Sequence, residues 1–106
     1  CLLPGVATAS EVMQALEWGY NYLKFFPAVA AGGVAALKGI GCPIPQAKFC
    51  PTVGIDAGNA AAFLALDNVL CVGGSWVAPL QAMEEGAWDE ITRISKLAVD
   101  SLAPKN

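Results

Sequence analysis

Short apolar runs alternate along the chain with longer segments whose apolar positions recur at helical spacing. The short runs are bounded by Gly, Pro or Asn and are too brief for helices, which is typical of strands buried in a parallel sheet. The longer segments predict crossover helices, because parallel strands need such connections. One strand and one helix together span roughly 25 residues, and the pattern occurs four times. The sequence therefore predicts a single α/β unit of four consecutive βα repeats.

The boundaries of these elements follow from caps and turns. Thr8 and Glu11 have the spacing of a capping box that opens the first helix, and Asp56 is the predicted N-cap of the third. The turn Pro4-Gly5 is expected to separate the first strand from its helix. The predicted strands lie at residues 1–3, 22–26, 48–50 and 69–72, and the predicted helices at 10–18, 33–40, 57–66, 79–85 and 88–102.

Lys24 is the most informative candidate residue, since it lies in the most aromatic stretch of the chain. Alternation along the strand places Tyr22, Lys24 and Phe26 on one face, with Leu23 and Phe25 on the other. Burial disfavours an ammonium ion and lowers its pKa, which leaves a neutral amine that can attack a carbonyl carbon. The pattern favours Schiff-base chemistry; the alternative is a lysine that snorkels to the rim of the sheet.

Two loops that follow predicted strands are candidates for anion binding. One is the segment 52–55, Thr-Val-Gly-Ile, and the other is Gly73-Gly74-Ser75. Each loop comes between a strand and a helix, where backbone N–H groups and the helix dipole favour a negative group such as phosphate. A single glycine turn is more often only a turn, but two such loops in adjacent units beside a candidate nucleophile strengthen the hypothesis.

Charge and composition narrow the class of partner. The 106 residues carry a net charge of −3 and no cluster of Lys or Arg, so we expect a small metabolite rather than nucleic acid. No apolar run reaches the roughly 20 residues that span a bilayer, and no signal-peptide pattern is present. We therefore expect a cytoplasmic protein without a membrane partner.

The four cysteines indicate neither a metal site nor a disulfide framework. Cys1, Cys42, Cys50 and Cys71 lack CxxC spacing, and the chain has no histidine, so the common zinc sites cannot form. We expect reduced thiols, with Cys50 and Cys71 buried in strands.

Several segments occur in the order found in one known family. They are Leu-Pro-Gly-Val-Ala-Thr at 3–8, Leu-Lys-Phe-Phe-Pro-Ala at 23–28, Gly-Gly-Val at 32–34, Phe-Cys-Pro-Thr at 49–52 and Val-Gly-Gly-Ser-Trp at 72–76. From end to end the chain resembles 2-keto-3-deoxy-6-phosphogluconate (KDPG) aldolases of the bacterial Entner-Doudoroff pathway. The resemblance implies a TIM-type (β/α)8 barrel, usually a homotrimer, and a class I aldolase (a carbon-carbon lyase) that needs no metal or other cofactor.

The same resemblance assigns roles to individual residues. Lys24 is expected to be the catalytic lysine that forms an imine with pyruvate or with the six-carbon substrate. Thr52 and Pro27 are expected to position the keto acid. The residues expected to hold the phosphate are Val53, Gly54, Gly73, Gly74 and Ser75.

The chain departs from the family pattern at two positions. Val53 stands where the family usually has glycine, and a β-branched side chain there restricts φ and crowds an approaching phosphate. Val29 stands where glutamate is common. Val53 slightly favours an alternative substrate, 4-hydroxy-2-oxoglutarate, which is cleaved through the same imine without a phosphate.

The length of the chain also departs from the family. By this resemblance, residues 1–106 are expected to correspond to strands five to eight, the carboxyl-terminal half of the barrel, and to lack the family's glutamate that serves as general acid/base and an arginine near the carboxylate. Loss of proton transfer lowers rates by about 10² to 10⁴. The competing hypothesis is therefore a non-catalytic half barrel that acts as an assembly module, and either form should pair to cover its exposed sheet edges.

Overall fold

The computed structural model describes residues 1–103 and contains a parallel sheet covered by helices. Its strands are β1 (Gly5–Val6), β2 (Tyr22–Phe25) and β3 (Lys48–Pro51), and its α-helices are α1 (Ala9–Glu17), α2 (Gly33–Gly41), α3 (Ala60–Leu64), α4 (Leu80–Glu84) and α5 (Trp88–Leu102); a 3₁₀ helix spans Ser75–Val77. The strand order is β1-β2-β3 with every pair parallel, as the alternating pattern predicts.

The first strand lies further along the chain than predicted. Residues 1–3 are not a strand, and Gly5 belongs to β1 instead of a turn. The reason is the register with β2: the amide of Lys24 donates to the carbonyl of Pro4 at 2.9 Å, and the amide of Phe26 donates to that of Val6 at 3.0 Å. Pairing therefore begins only at Pro4.

The fourth predicted strand, at residues 69–72, is reduced to two isolated parallel bridges. They pair Phe49 with Val69 and Thr52 with Gly73. Between these bridges the chain advances three residues from Phe49 to Thr52 but four from Val69 to Gly73. The extra residue in the second segment interrupts the ladder of hydrogen bonds in the manner of a β-bulge. This segment still extends the sheet beside β3, because Leu70 donates to the carbonyl of Phe49 and Gly73 to that of Pro51, both at 3.0 Å.

The helix boundaries agree with prediction to within one residue except at α3. Helix α5 begins and ends as predicted, and Thr8 caps α1 by accepting a hydrogen bond from the amide of Glu11 at 3.2 Å. The predicted helix at 57–66 is only Ala60–Leu64. Its expected N-cap, Asp56, instead accepts from the amides of Gly58 and Asn59 at 2.8 and 3.0 Å, which forms an Asx-type turn ahead of the helix.

The core lies between one face of the sheet and the first three helices. Leu23 and Phe25 of β2 and Phe49 of β3 are buried there. The rings of Phe25 and Phe49 meet edge to face with centroids 6.2 Å apart. Further core residues come from the helices, namely Val12, Ala15, Leu37, Ala60 and Phe63. On the opposite face of the sheet Tyr22 and Phe26 are exposed and Lys24 is half-buried, so this face is left open by the described residues.

Within residues 1–103, every helix is too short or too polar to cross a bilayer.

Candidate active site

Lys24 occupies the open face of the central strand. Its neighbours Leu23 and Phe25 are fully buried on the other face, so the predicted alternation along β2 is confirmed. Lys24 itself is half-buried rather than buried, because none of the described helices covers this face of the sheet. Its Nζ lies 4.5 Å from the centroid of the Phe26 ring, a cation-π contact.

The two residues that flank Lys24 in the sheet leave space on one side only. Gly5 is its partner on β1, and apart from Gly5 and its two chain neighbours no atom of the described residues lies within 4 Å of where a Cβ of Gly5 would be. Cys50 is its partner on β3. The amine therefore borders open space above β1, where a small molecule can approach it.

Cys50 and Cys71 differ from the prediction that both are buried. Cys50 is half-buried and Cys71 is exposed, since both lie on the uncovered side of the sheet. Burial first, and then the hydrogen bond and the charge of Cys71, raise the pKa of the Cys50 thiol to about 11, while the nearby charge of Lys24 opposes the shift. Cys50 is therefore a neutral thiol at physiological pH, next to the amine.

The two predicted anion loops lie side by side. They share a surface cavity of about 300 Å³, lined by Thr52, Val53, Gly54, Ile55, Gly73, Gly74 and Ser75. The bridge between Thr52 and Gly73 brings them together, and a Cβ at Gly73 would lie 2.6 Å from Cγ2 of Thr52. The two loops can therefore come this close only because residue 73 has no side chain.

Backbone conformation turns the first loop toward the cavity. Val53 and Gly54 have successive positive φ angles of 73° and 84°. Among the described residues, none accepts a hydrogen bond from the amides of Val53, Gly54 or Ile55. Such free N–H groups next to a concave surface are suited to an anion.

Two residues that the sequence did not indicate hold this loop in place. The amide of Ala28 donates to the carbonyl of Thr52 at 2.8 Å, and Nδ2 of Asn59 donates to the carbonyl of Gly54 at 2.7 Å. Asn59 also accepts from the amide of Asp56 at 2.9 Å. An Asx motif between Asp56 and Asn59 was the available signal, since these residues favour such turns.

Thr52 carries a buried polar atom that the fold does not satisfy. Its Oγ1 has no hydrogen-bond partner in the part of the chain that the structure describes. A buried hydroxyl without a partner is costly, and a ligand is one way to satisfy it. Thr52 lies two residues beyond Cys50, the sheet partner of Lys24, which is a distance of ~7 Å along a strand.

Pro27 is placed at the end of β2, apart from the loop cavity. The bond between Phe26 and Pro27 is cis, and the carbonyl of Pro27 accepts from the amide of Ala31 at 2.8 Å. Pro27 is half-buried and does not line the cavity shared by the two loops. Thr52 therefore lines the cavity shared by the two loops. Pro27 does not, and its relation to Lys24 is that it follows Lys24 closely in the sequence.

No group of three or more Cys, Asp or Glu side chains within residues 1–103 could hold a metal ion.

A parallel sheet with one helical layer, an amine on its open face and glycine-containing loops at the carboxyl ends of its strands defines an α/β protein with the strand and helix layers found in TIM-type barrels. The sequence model of KDPG and KHG aldolases, where KHG is 4-hydroxy-2-oxoglutarate, matches residues 1–94. The chain belongs to this aldolase family.

Individual relatives agree with the family match. The chain is 51% identical to 2-dehydro-3-deoxy-phosphogluconate aldolase of Pseudoalteromonas atlantica over 96% of its own length and 47% of that protein. It is 48% identical to the KHG/KDPG aldolase of Escherichia coli over 93% of its length and 46% of that protein. The chain thus spans about half the length of the curated relatives it matches.

Solved structures give the same result for the fold. The KDPG aldolase of Legionella pneumophila, with pyruvate captured at low pH as a covalent carbinolamine intermediate, superposes with a TM-score of 0.86 at 53% identity, over 88% of this chain and 45% of that one. The Zymomonas mobilis enzyme with 3-phosphoglycerate gives 0.79 at 40% identity, over 99% and 47%.

Proposed function

We propose that residues 1–106 form the carboxyl-terminal half, strands five to eight, of a class I aldolase that cleaves KDPG to pyruvate and glyceraldehyde 3-phosphate. The observation that carries this proposal is the position of Lys24, half-buried on the open sheet face beside the side-chain-free Gly5. The loop cavity at the carboxyl ends of the neighbouring segments supports it. Homotrimeric assembly belongs to the same proposal.

Lys24 is the proposed nucleophile. Its neutral amine attacks the keto carbon to form a carbinolamine, which loses water and becomes a protonated imine. Carbons are named here by their position relative to the imine carbon. Deprotonation of the hydroxyl on the β carbon lets the bond between the α and β carbons break. The electron pair of that bond moves into the imine to give an enamine. The aldehyde leaves, the enamine is protonated at its α carbon, and hydrolysis releases pyruvate and the free amine.

The other roles follow from the geometry of the loops. The unpartnered hydroxyl of Thr52 is the proposed hydrogen-bonding group for the keto acid, and Pro27 shapes the wall next to Lys24. The free amides of Val53 and Gly54, with Gly73, Gly74 and Ser75 opposite, are the proposed phosphate site. We place the group that transfers protons outside residues 1–106, in the other half of the barrel.

Reductive trapping tests the proposal. Incubation with pyruvate and borohydride should attach one reduced pyruvate to Lys24, which peptide mass spectrometry locates. Lys24→Arg should abolish the adduct, because a guanidinium keeps the charge but cannot form the imine. Lys48→Arg is the matched control, since Lys48 lies on the adjacent strand opposite Tyr22 and has no proposed role.

An adduct on a lysine other than Lys24, or an unmodified protein, would contradict the assignment. Trapping without turnover would instead separate imine formation from proton transfer, as expected if the general acid/base lies outside this chain.

A further inference from the structure

Val53 adopts a conformation that its side chain disfavours. Among the described residues it is the one non-glycine residue with a positive φ, 73°. This region is unfavourable for L-residues and most of all for β-branched ones. Burial of the isopropyl group does not offset the strain, because the residue is 50% exposed. Strain of this kind is held by surrounding structure and clusters at functional sites.

Contacts with the segment Ala28-Val29 hold Val53 in this conformation. The carbonyl of Val53 accepts from the amide of Val29 at 3.3 Å, and the adjacent carbonyl of Thr52 accepts from Ala28 at 2.8 Å. The side chain of Val29 also fills the space next to Gly54, where a Cβ would lie 2.6 Å from its Cγ2. The loop therefore cannot relax by moving toward α2.

The loop cavity can attract an anion only through backbone amides and the hydroxyls of Thr52 and Ser75. None of its lining residues carries a charge. To use the free amides of the first loop, a phosphate must come within hydrogen-bond distance of Val53 and Gly54. The branched side chain of Val53 is attached next to the first of these amides. Crowding that prevents an amide from reaching the phosphate lowers the affinity for a phosphorylated substrate without affecting a keto acid that has no phosphate.

We propose that Val53 is a specificity-determining residue that reduces the preference of the site for phosphorylated over unphosphorylated 4-hydroxy-2-keto acids. The inference rests on the proposed imine chemistry of Lys24 and concerns the opposite end of the substrate. Replacement of Val53 by glycine removes both the strain and the crowding while leaving the amide in place.

Competitive trapping measures this preference directly. Equal amounts of KDPG and 4-hydroxy-2-oxoglutarate are reduced onto the protein by borohydride, and the two adducts on Lys24 are distinguished by mass. In Val53→Gly the ratio of phosphorylated to unphosphorylated adduct should rise about tenfold, the value of one regained charge-assisted hydrogen bond. Val53→Ile keeps the branching and should leave the ratio unchanged. An unchanged or lower ratio in Val53→Gly overturns the proposal, as does an equal rise in Val53→Ile.

A second readout does not involve Lys24. Inorganic phosphate is titrated while the amide resonances of residues 53, 54 and 74 are followed by NMR, and Val53→Gly should bind about tenfold more tightly than the parent. Equal affinities overturn the role of Val53 even if trapping succeeds. Conversely, the absence of any keto-acid adduct contradicts the aldolase function, and the phosphate titration still decides the role of Val53. If Val53→Gly does not fold, Val53→Ala, which lacks the branch, should shift both readouts in the same direction.

Discussion

Individual residues on the open sheet face have properties set by what lies beside them. Lys24 has Gly5 on one side and the thiol of Cys50 on the other. The raised pKa of this thiol, caused first by burial and then by Cys71, keeps it protonated beside the amine. A neutral thiol does not form an ion pair with Lys24, so the lysine keeps its access to a carbonyl compound.

Cys50 therefore gives a pH-dependence that can be measured. Its thiol has a pKa of about 11 in the folded protein against an ordinary value of 9.0, so the folded state binds more protons between these values. The contribution of the protonated Cys50 thiol to the free energy of unfolding is fully present below pH 9.0 and is lost as the pH rises toward 11. Urea unfolding across this range should show a steeper loss of stability in the parent than in Cys50→Ala.

Alkylation provides the control for this prediction. Iodoacetamide should modify the exposed Cys42 well before Cys50. The alkylation rate of Cys50 should rise about tenfold per pH unit until the pKa of its thiol is reached, because the thiolate is the reactive form. Parallel pH profiles of stability for the parent and Cys50→Ala would show that Cys50 has no such linkage.

At the scale of elements, helix ends were predictable where the capping contacts are local. The Thr8 and Glu11 side chains lie within one turn of α1, and Glu11 accepts from the amide of Ala7 at 3.1 Å and from the hydroxyl of Thr8 at 3.0 Å. The Ala7 amide is the main reason that the pKa of Glu11 is lowered, followed by Thr8. Asp56 is the counterexample, because its local Asx turn delays α3 until Ala60.

Substitution of Thr8 tests the cap. Thr8→Ala removes the acceptor for the amide of Glu11 and should cost about 1 kcal/mol in the free energy of unfolding. Thr8→Ser retains the hydroxyl oxygen and should cost much less. Urea denaturation monitored by circular dichroism gives both values. If the two variants lose the same stability, the hydrogen bond is not the source of the effect.

The whole molecule depends on one core behind the sheet. Phe25 and Phe49 belong to adjacent strands and pack against helices that are distant in sequence, so they connect the βα units. Within residues 1–103 the other face of the sheet lacks a covering layer, and large apolar side chains such as Leu3, Tyr22 and Leu70 are exposed. The free energy of folding must therefore come mainly from the core between the sheet and the helices.

Truncation of Phe49 measures this dependence. Phe49→Ala should lower the free energy of unfolding by about 3 to 5 kcal/mol, because it removes a fully enclosed ring and leaves a cavity. Leu97→Ala is the control: Leu97 on α5 is 60% exposed, and an exposed site should change stability by no more than about 0.5 kcal/mol. Similar losses for both variants in urea denaturation would disagree with a core confined to the helical side.

The sequence by itself determined the features that depend on neighbours along the chain. Alternation along residues 22–26 predicted which side chains of β2 share a face, and helical spacing predicted the bounds of α5. Glycines after strands located the two loops that line one cavity. Such patterns are local, because side-chain direction repeats every two residues in a strand and every 3.6 in a helix.

Only the tertiary structure decided the features that depend on register between distant segments. Pairing with β2 moved the first strand to Gly5, and one extra residue opposite β3 broke the fourth strand into bridges. The open sheet face left Lys24 half-buried and Cys71 exposed. Contacts from Ala28, Val29 and Asn59 fixed the strained loop at Val53. Periodicity within one segment carries no information about which residues of another segment lie opposite, so these outcomes required the assembled fold.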